Sequence, residues 1–495
     1  MIAVILILLF AFICWKKQVH VLGKFDLLLA FGLKLILAFG YFYFYVYISG
    51  NGKLEAGNHS IILVNGDFYT FFSESKELHD VFSKSPSDFF KLFFGLDDSL
   101  ATKYLEHTEH WTHVKPGIIN DSQNVMRVNA LFYFIGQGNI AVHFIIVGAL
   151  TLFSTHFFVE KFAARTKFSA KKLFWILLLL PSFAFSNASI IKEPFLFSGI
   201  LLAFGAVVNS EKKTFVQWQF YIGILLMLMF KGYVLLFLFP VCGIYLISRV
   251  VRLNFKYVIS GLTICCLLLL VFSTQTQFKL TRTLSEKQYD FMNVARGGVH
   301  LTRNDTVFFI PEHQLKQVKF KNEFFVSVKK NFPAFIVQKG KHYPYQKFTF
   351  TSADTSIAVY YINPRANTFF EATPINSSFT QLVLNTPEAF FRAAFCPTFS
   401  DIGGWKMKFH FFETLFVFGF VFYFFRKYRK FTTANDRDYQ LILIITAFLL
   451  FLLIGYTTPV FGAIIRYRLP AYLFLIIASL LSSLPASSNQ LNSND

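Results

Sequence analysis

Residues 173–197 read Leu173-Phe174-Trp175-Ile176-Leu177-Leu178-Leu179-Leu180-Pro181-Ser182-Phe183-Ala184-Phe185-Ser186-Asn187-Ala188-Ser189-Ile190-Ile191-Lys192-Glu193-Pro194-Phe195-Leu196-Phe197. One apolar run, 173–187, gives way to a short polar connection, and a second run, 194–209, begins at Pro194. The connection is too short to hold a domain, so the stretch reads as a hairpin of two apolar helices. The same alternation recurs along the chain, with apolar runs near 2–15, 27–49, 138–158, 215–230, 233–248, 257–274, 408–425, 439–455 and 468–484. Several fall short of the ~20 residues a perpendicular span needs. The set predicts an all-α polytopic membrane protein of about eleven transmembrane helices.

Composition agrees. The 495 residues are 54% hydrophobic and only 15% charged, and their mean hydropathy is +0.49. That is too little polar side chain to coat a soluble globule of this size. The 68 phenylalanines suit lipid-facing and helix-packing surfaces. A net charge of +19 would point to nucleic acid in a soluble protein, but here the cations gather in short clusters between apolar runs, where they fix orientation. Cys14, Cys242, Cys265 and Cys266 lie inside apolar runs and Cys396 outside them, which leaves no disulfide framework.

The clusters Lys16/Lys17/Lys24, Lys161/Arg165/Lys167/Lys171/Lys172, Lys212/Lys213, Arg249/Arg252/Lys256 and Arg426/Lys427/Arg429/Lys430 occupy every second connection, as the positive-inside rule requires. Residues 1–15 have their positive charges after the apolar stretch, so they read as a retained first span rather than a cleaved signal. The expected order is two spans (1–49), an outer loop with interfacial helices (50–137), a bundle of about six spans (138–274), an outer β-containing segment (275–407), three last spans (408–484) and a polar inner tail (485–495). The N-terminus is then outside and the C-terminus inside. In the first outer segment, 67–72, 78–82 and 89–94 mix aromatic residues with charges and suit short helices in the interface. In the second, 306–310, 317–320 and 357–361 alternate polar and apolar residues and suit strands.

The residues with chemical promise lie on the outer side. Lys192 and Glu193 stand adjacent at the mouth of two helices, where an ionisable group is costly unless it is used; the plain alternative is an interface anchor before a helix-starting proline. Arg466 and Arg468, in Ile465-Arg466-Tyr467-Arg468, break the bias that keeps positive charge inside. A guanidinium pair beside a bilayer suits a lipid-linked phosphate or pyrophosphate, and snorkelling to headgroups is the alternative. Lys231 and Arg392 are further outer cations flanked by aromatic or apolar residues. Asp67 follows the second span and can serve as a general base or hold a divalent cation against a phosphate; a solvated loop acid is the alternative. No organic cofactor is expected. His107, His110 and His113 share helical spacing but not the HExxH arrangement of a zinc site. Lys34, inside the second run, reads as a snorkelling or helix-bonding cation. No Walker or GxGxxG pattern opens a helix, which removes support for ATP-driven mechanisms.

With Asp67 soon after an early span, Lys192-Glu193 after a Pro181-Ser182-containing span, Arg392 before a late span and Thr457-Thr458-Pro459 leading to Arg466-Tyr467-Arg468, the chain resembles multispanning proteins of Bacteroidetes-type bacteria. Those are similar in turn to GT-C-fold membrane glycosyltransferases and to surface-polysaccharide polymerases and ligases. The resemblance covers most of the chain in topology, on short motifs. It implies a GT-C-like transferase of the bacterial inner membrane with a polyprenyl-(pyro)phosphate-linked donor and a glycan, lipid or protein acceptor. Arg466, Arg468, Lys192, Lys231 and Arg392 would hold phosphate, and Glu193 or Asp67 would take the acceptor proton. The Asp-Glu or Asp-Asp pair of metal-dependent GT-C enzymes has no clear counterpart, since Phe68 follows Asp67. Two other readings stand beside it: a lipid-linked glycan flippase, which needs charge inside several spans, and a non-enzymatic subunit of an envelope assembly complex. The transferase reading requires the outer charges to converge.

Overall fold

A computed structural model describes residues 2–16, 22–48, 52–56, 59–63, 67–97, 99–105, 108, 111, 120–163, 168–208, 217–251, 254, 257–261, 264, 274–295, 306–309, 314, 317–320, 325–338, 346–352, 355–358, 366, 368–375, 378–401, 405–428 and 434–481. The protein is mostly helical. In chain order the helices are α1 (Ile2–Lys16), α2 (Lys24–Tyr43), α3 (Asp67–Lys84), α4 (Pro86–Phe93), α5 (Ser99–Tyr104), α6 (Asp121–Gly136), α7 (Ile140–Ala163), α8 (Ala170–Leu179), α9 (Pro181–Ser186), α10 (Lys192–Val208), α11 (Trp218–Lys231) and α12 (Tyr233–Val250). They continue as α13 (Thr274–Ala295), α14 (Phe379–Phe395), α15 (Trp405–Tyr428), α16 (Ala434–Thr457), α17 (Phe461–Tyr467) and α18 (Leu469–Leu481).

Among the described residues four helical stretches are long and apolar enough to cross a membrane: Phe25–Tyr43, Ile140–Ala163, Met407–Lys427 and Arg437–Thr457. A fifth arises if α17 and α18, bent by 42° at Arg468, form one broken span. Ile2–Ile13, Trp218–Lys231 and Tyr233–Ser248 are shorter apolar helices. The chain is therefore a helical membrane protein, with four or five candidate spans of full length among the described residues. Most of the run 257–274 and all of the tail 485–495 lie outside the described residues.

The run 173–187, read from sequence as one span, is two helices. Leu180 takes an extended ψ of 122° and Pro181 opens α9. The proline ring disfavours helical backbone in the residue before it, so the break falls there. Glu413 then caps α9: Ser182 donates its backbone N–H to Oε1 at 2.8 Å and its hydroxyl to Oε2.

The centre of the bundle is α10, packed between α7 and α11. Gly199 and Gly223 bring α10 and α11 into backbone contact: a Cβ added at Gly223 would meet the Gly199 carbonyl oxygen and the Ala203 amide nitrogen, each at 2.6 Å. Close approach through small residues is how helices associate where lipid supplies no hydrophobic drive. It also sets the first turn of α10 beside the last turn of α11.

The segment 50–137 holds the expected short helices and more. α3 buries Phe68, Phe71, Ser75, Leu78 and Val81 at helical spacing and packs on α6. An antiparallel hairpin, β1 (Gly52–Ala56) with β2 (His59–Leu63), precedes it. The described residues of 275–407 form six strands, β3 (Thr306–Phe309), β4 (Lys319–Phe320), β5 (Phe325–Val328), β6 (Pro333–Gln338), β7 (Gln346–Thr349) and β8 (Thr355–Ala358). They pair antiparallel as two sheets of order β3-β6-β7 and β4-β5-β8. Strands β3 and β4 fall within the alternating stretches 306–310 and 317–320 read from sequence, while β8 shares only residues 357–358 with the stretch 357–361, whose residues 359–361 lie outside the described residues. The flanking helices α13 and α14 were not read there.

Candidate functional site

The site forms where three helices begin. Asp67 opens α3, Asp121 opens α6 and Glu193 lies in the first turn of α10. The first turn of a helix leaves unbonded N–H groups and carries roughly half a unit of positive charge, so a carboxylate at each start is the stabilising choice. At α6, Asn120 caps the helix by accepting from Gln123 N–H at 3.1 Å, and at α10 Pro194 suits the first turn because its missing N–H is not needed there.

Three cations answer the three acids. Lys192 Nζ lies 2.9 Å from Asp121 Oδ2, Lys231 Nζ 3.1 Å from Glu193 Oε1, and Arg466 Nη1 2.9 Å from Asp67 Oδ2. The pairs form one ladder: Asp121 feels the charge of both Lys192 and Lys231, and Glu193 that of both Lys231 and Arg466. Burial raises the Asp121 carboxyl, and the Lys192 and Lys231 charges more than offset it and hold the group below its ordinary value. Tyr467 floors the ladder, with Lys231 Nζ 4.2 Å and the Arg466 guanidinium 6.0 Å from its ring centroid.

Exposure divides the ladder. The Lys231–Glu193 side chains are only 3% and 4% exposed, so neither group is free to exchange partners without a large desolvation cost. Arg466 and Asp67 are 28% and 56% exposed, and Lys192 and Asp121 21% and 43%. A ligand can therefore reach Arg466, Lys192, Asp67 and Asp121 but not the pair beneath them.

Of the residues singled out from sequence, the fold brings Asp67, Lys192, Glu193, Lys231 and Arg466 together. It does not bring Arg468. Residues two apart on a helix point to nearly opposite sides, and Arg468 is fully buried, donating to the Cys396 carbonyl and to Thr414 Oγ1 at 3.0 Å and stacking 4.7 Å from the Tyr472 ring centroid. The expectation of an Arg466/Arg468 phosphate clamp is thus corrected to Arg466 alone. Arg392 is also elsewhere: it is bound to Glu388 and to the Glu371 carbonyl and lies over Phe370. Glu193 as a proton acceptor meets the obstacle of its fixed, buried partner, whereas Asp67 is accessible. His107, His110 and His113 lie outside the described residues. Lys34 is buried and donates to the Asn187 carbonyl at 3.5 Å. Asp121 was missed from sequence; its position after Asn120, a capping residue, marks a helix start but not which cation it meets.

No family model, curated protein or solved structure matches this chain.

Proposed function

We propose that the chain is a GT-C-like membrane glycosyltransferase that takes a sugar or oligosaccharide from a polyprenyl-(pyro)phosphate carrier and passes it to a glycan, lipid or protein acceptor. The observation that carries this reading is the convergence of two accessible cations, Arg466 and Lys192, with three helix N-termini at one end of a lipid-facing bundle. Cations and helix starts in this arrangement favour a phosphate.

The ladder is neutral, three acids against three cations. A diphosphate entering it competes with Asp67 for Arg466 and with Asp121 for Lys192. Release of Asp67 then matters: an exposed carboxylate that has lost its cation is a better base. Asp67 takes the proton of the acceptor hydroxyl, the acceptor oxygen bonds to the anomeric carbon, and the anomeric carbon's bond to the phosphate oxygen breaks with its electron pair on the leaving phosphate. Arg466 and Lys192 carry that charge as it develops. The buried Lys231–Glu193 pair stays intact and, through Tyr467, fixes the height of Arg466.

The alternation of cation clusters supports about eleven spans in a bacterial inner membrane, with the site and the N-terminus on the periplasmic face and the C-terminus in the cytoplasm. The test is release of polyprenyl phosphate or diphosphate from a lipid-linked oligosaccharide by the purified protein in nanodiscs. Asp67→Asn should lower turnover with little change in donor binding, and Arg466→Ala should lower both. Equal turnover by wild type and both variants would sink the proposal. A second reading, movement of a lipid-linked glycan across the bilayer, draws on Lys34 and Glu413, both buried within candidate spans. Flipping of a fluorescent lipid-linked glycan in vesicles that depends on Lys34 and not on Asp67 would favour it.

A further inference from the structure

A cavity of about 320 Å³ lies at the other end of α17 from Arg466, lined by Phe370, Phe391, Phe461, Glu388, Arg392 and Asp401 among others. Its size falls near the lower end of the ~300–1,000 Å³ range of small-ligand pockets. The position is fixed by the chain around it. Phe461 N–H donates to the Thr368 carbonyl at 3.0 Å, Gly462 N–H to Thr368 Oγ1 at 3.2 Å and Phe370 N–H to the Pro459 carbonyl at 3.0 Å, which straps residues 368–370 to the start of α17. Phe370 and Phe461 face each other with ring centroids 4.6 Å apart. Beneath, the buried Arg468 holds the carbonyl of Cys396, another lining residue.

The polar groups select against an anion. Arg392 is committed to Glu388 and the Glu371 carbonyl, and the lining holds two carboxylates to one guanidinium. A phosphate entering here would meet an excess of negative charge. The place a cation would take is already filled by Arg392, which pairs with Glu388 and lies 4.5 Å from the Phe370 ring centroid. What remains favourable is a neutral ligand rich in hydroxyls. Asp401, whose Oδ2 accepts from Thr398 N–H at 2.8 Å and from Thr398 Oγ1 at 2.7 Å, is held in place and, like Glu388, has lone pairs to accept from further hydroxyls. The Phe370 ring is already packed against Phe461 and Arg392, and the half-exposed Phe391 ring offers a face for the apolar side of a pyranose.

We infer that this cavity is a binding site for a neutral saccharide unit, built of Phe370, Phe391, Phe461, Asp401 and Glu388 and distinct from the cation ladder. Phe461 and Arg466 stand five positions apart on α17, about 7.5 Å along the helix axis at 1.5 Å per residue. If the transferase reading holds, this is the place of an acceptor glycan unit. The site itself does not depend on that reading.

The test is saturation-transfer NMR on the full chain in nanodiscs with a panel of neutral hexose and N-acetylhexosamine oligosaccharides, using inorganic pyrophosphate and choline as competitors. Binding of at least one neutral oligosaccharide is expected, unaffected by either competitor, weakened about tenfold by Asp401→Asn through loss of a charge-assisted hydrogen bond and unchanged by Arg466→Gln. Phe391 is 49% exposed, so Phe391→Ala leaves the fold intact and should also weaken binding. No saccharide binding to the wild type, displacement by pyrophosphate or choline, or binding indifferent to both Asp401→Asn and Phe391→Ala would overturn the assignment. Loss of turnover in Arg466→Gln with saccharide binding kept separates the two sites.

Discussion

Removing one member of the buried Lys231–Glu193 pair should be far more damaging than removing both. At 3.1 Å and an effective dielectric of ~20, the attraction between the two charges is about 5 kcal/mol. Most of this offsets the cost of taking them out of water, so the pair as a whole adds little, while a single deletion strands a buried charge at about 3–5 kcal/mol. The ladder makes the two deletions unequal. With Glu193→Gln, Lys231 keeps the influence of Asp121 and its place over the Tyr467 ring; with Lys231→Met, Glu193 keeps only the influence of Arg466. Lys231→Met is therefore expected to be the worse single change, Glu193→Gln less severe, and the double variant closer to wild type than either. Denaturation by SDS in mixed micelles, followed by far-UV circular dichroism, measures all four proteins as a double-mutant cycle. Single variants within about 0.5 kcal/mol of wild type, or a double variant as unstable as the sum of the two, would refute the buried-pair reasoning.

Arg466→Ala breaks a partly exposed pair and leaves Glu193 its direct partner Lys231, so its stability should stay within about 1 kcal/mol of wild type while donor binding is lost, and Arg466→Lys should restore part of it because a point charge replaces a fork; thermal unfolding and donor titration check both. Arg468→Met leaves the Cys396 carbonyl and the Thr414 hydroxyl without their buried donor and should destabilise by about 2 kcal/mol or more, read in the same SDS titration. Asp121 has a carboxyl held below its ordinary value of 3.8, so its contribution to stability is complete above that pH and lost as the pH falls through the lower folded value; Asp121→Asn should flatten that acid limb of the stability profile. Gly223→Val would drive a side chain into the α10 backbone and should disable the site without touching it, by moving Lys231 away from Glu193; cysteine cross-linking of α10 to α11 reports the shift.

The long apolar helices Phe25–Tyr43, Ile140–Ala163, Met407–Lys427 and Arg437–Thr457 were legible because an apolar run of span length has few alternatives, and the strands at 306–309 and 319–320 because their alternation has period two. Breaks inside runs were harder. Pro181 was visible, yet whether a proline kinks a span or ends a helix depends on the cap it finds, and Glu413 lies 231 residues further along the chain from Ser182. The site was half legible for a similar reason. Lys192, Glu193, Lys231 and Arg466 stand out because charge beside apolar helices is rare. Asp121 does not, because an acid in a polar loop is ordinary until the fold sets Lys192 against it. Arg468 misled because two arginines in three residues suggest a pair, while helical geometry turns them apart.

The most direct test of the central claim is made in cells lacking the protein, by mass analysis of the pool of polyprenyl-linked glycan. The pool should accumulate in the deletion strain and clear when the wild-type chain is restored, while Asp67→Asn and Arg466→Ala, inserted at wild-type levels, should leave it high. A pool of the same size and composition with and without the protein, or one cleared equally by both variants, would contradict it.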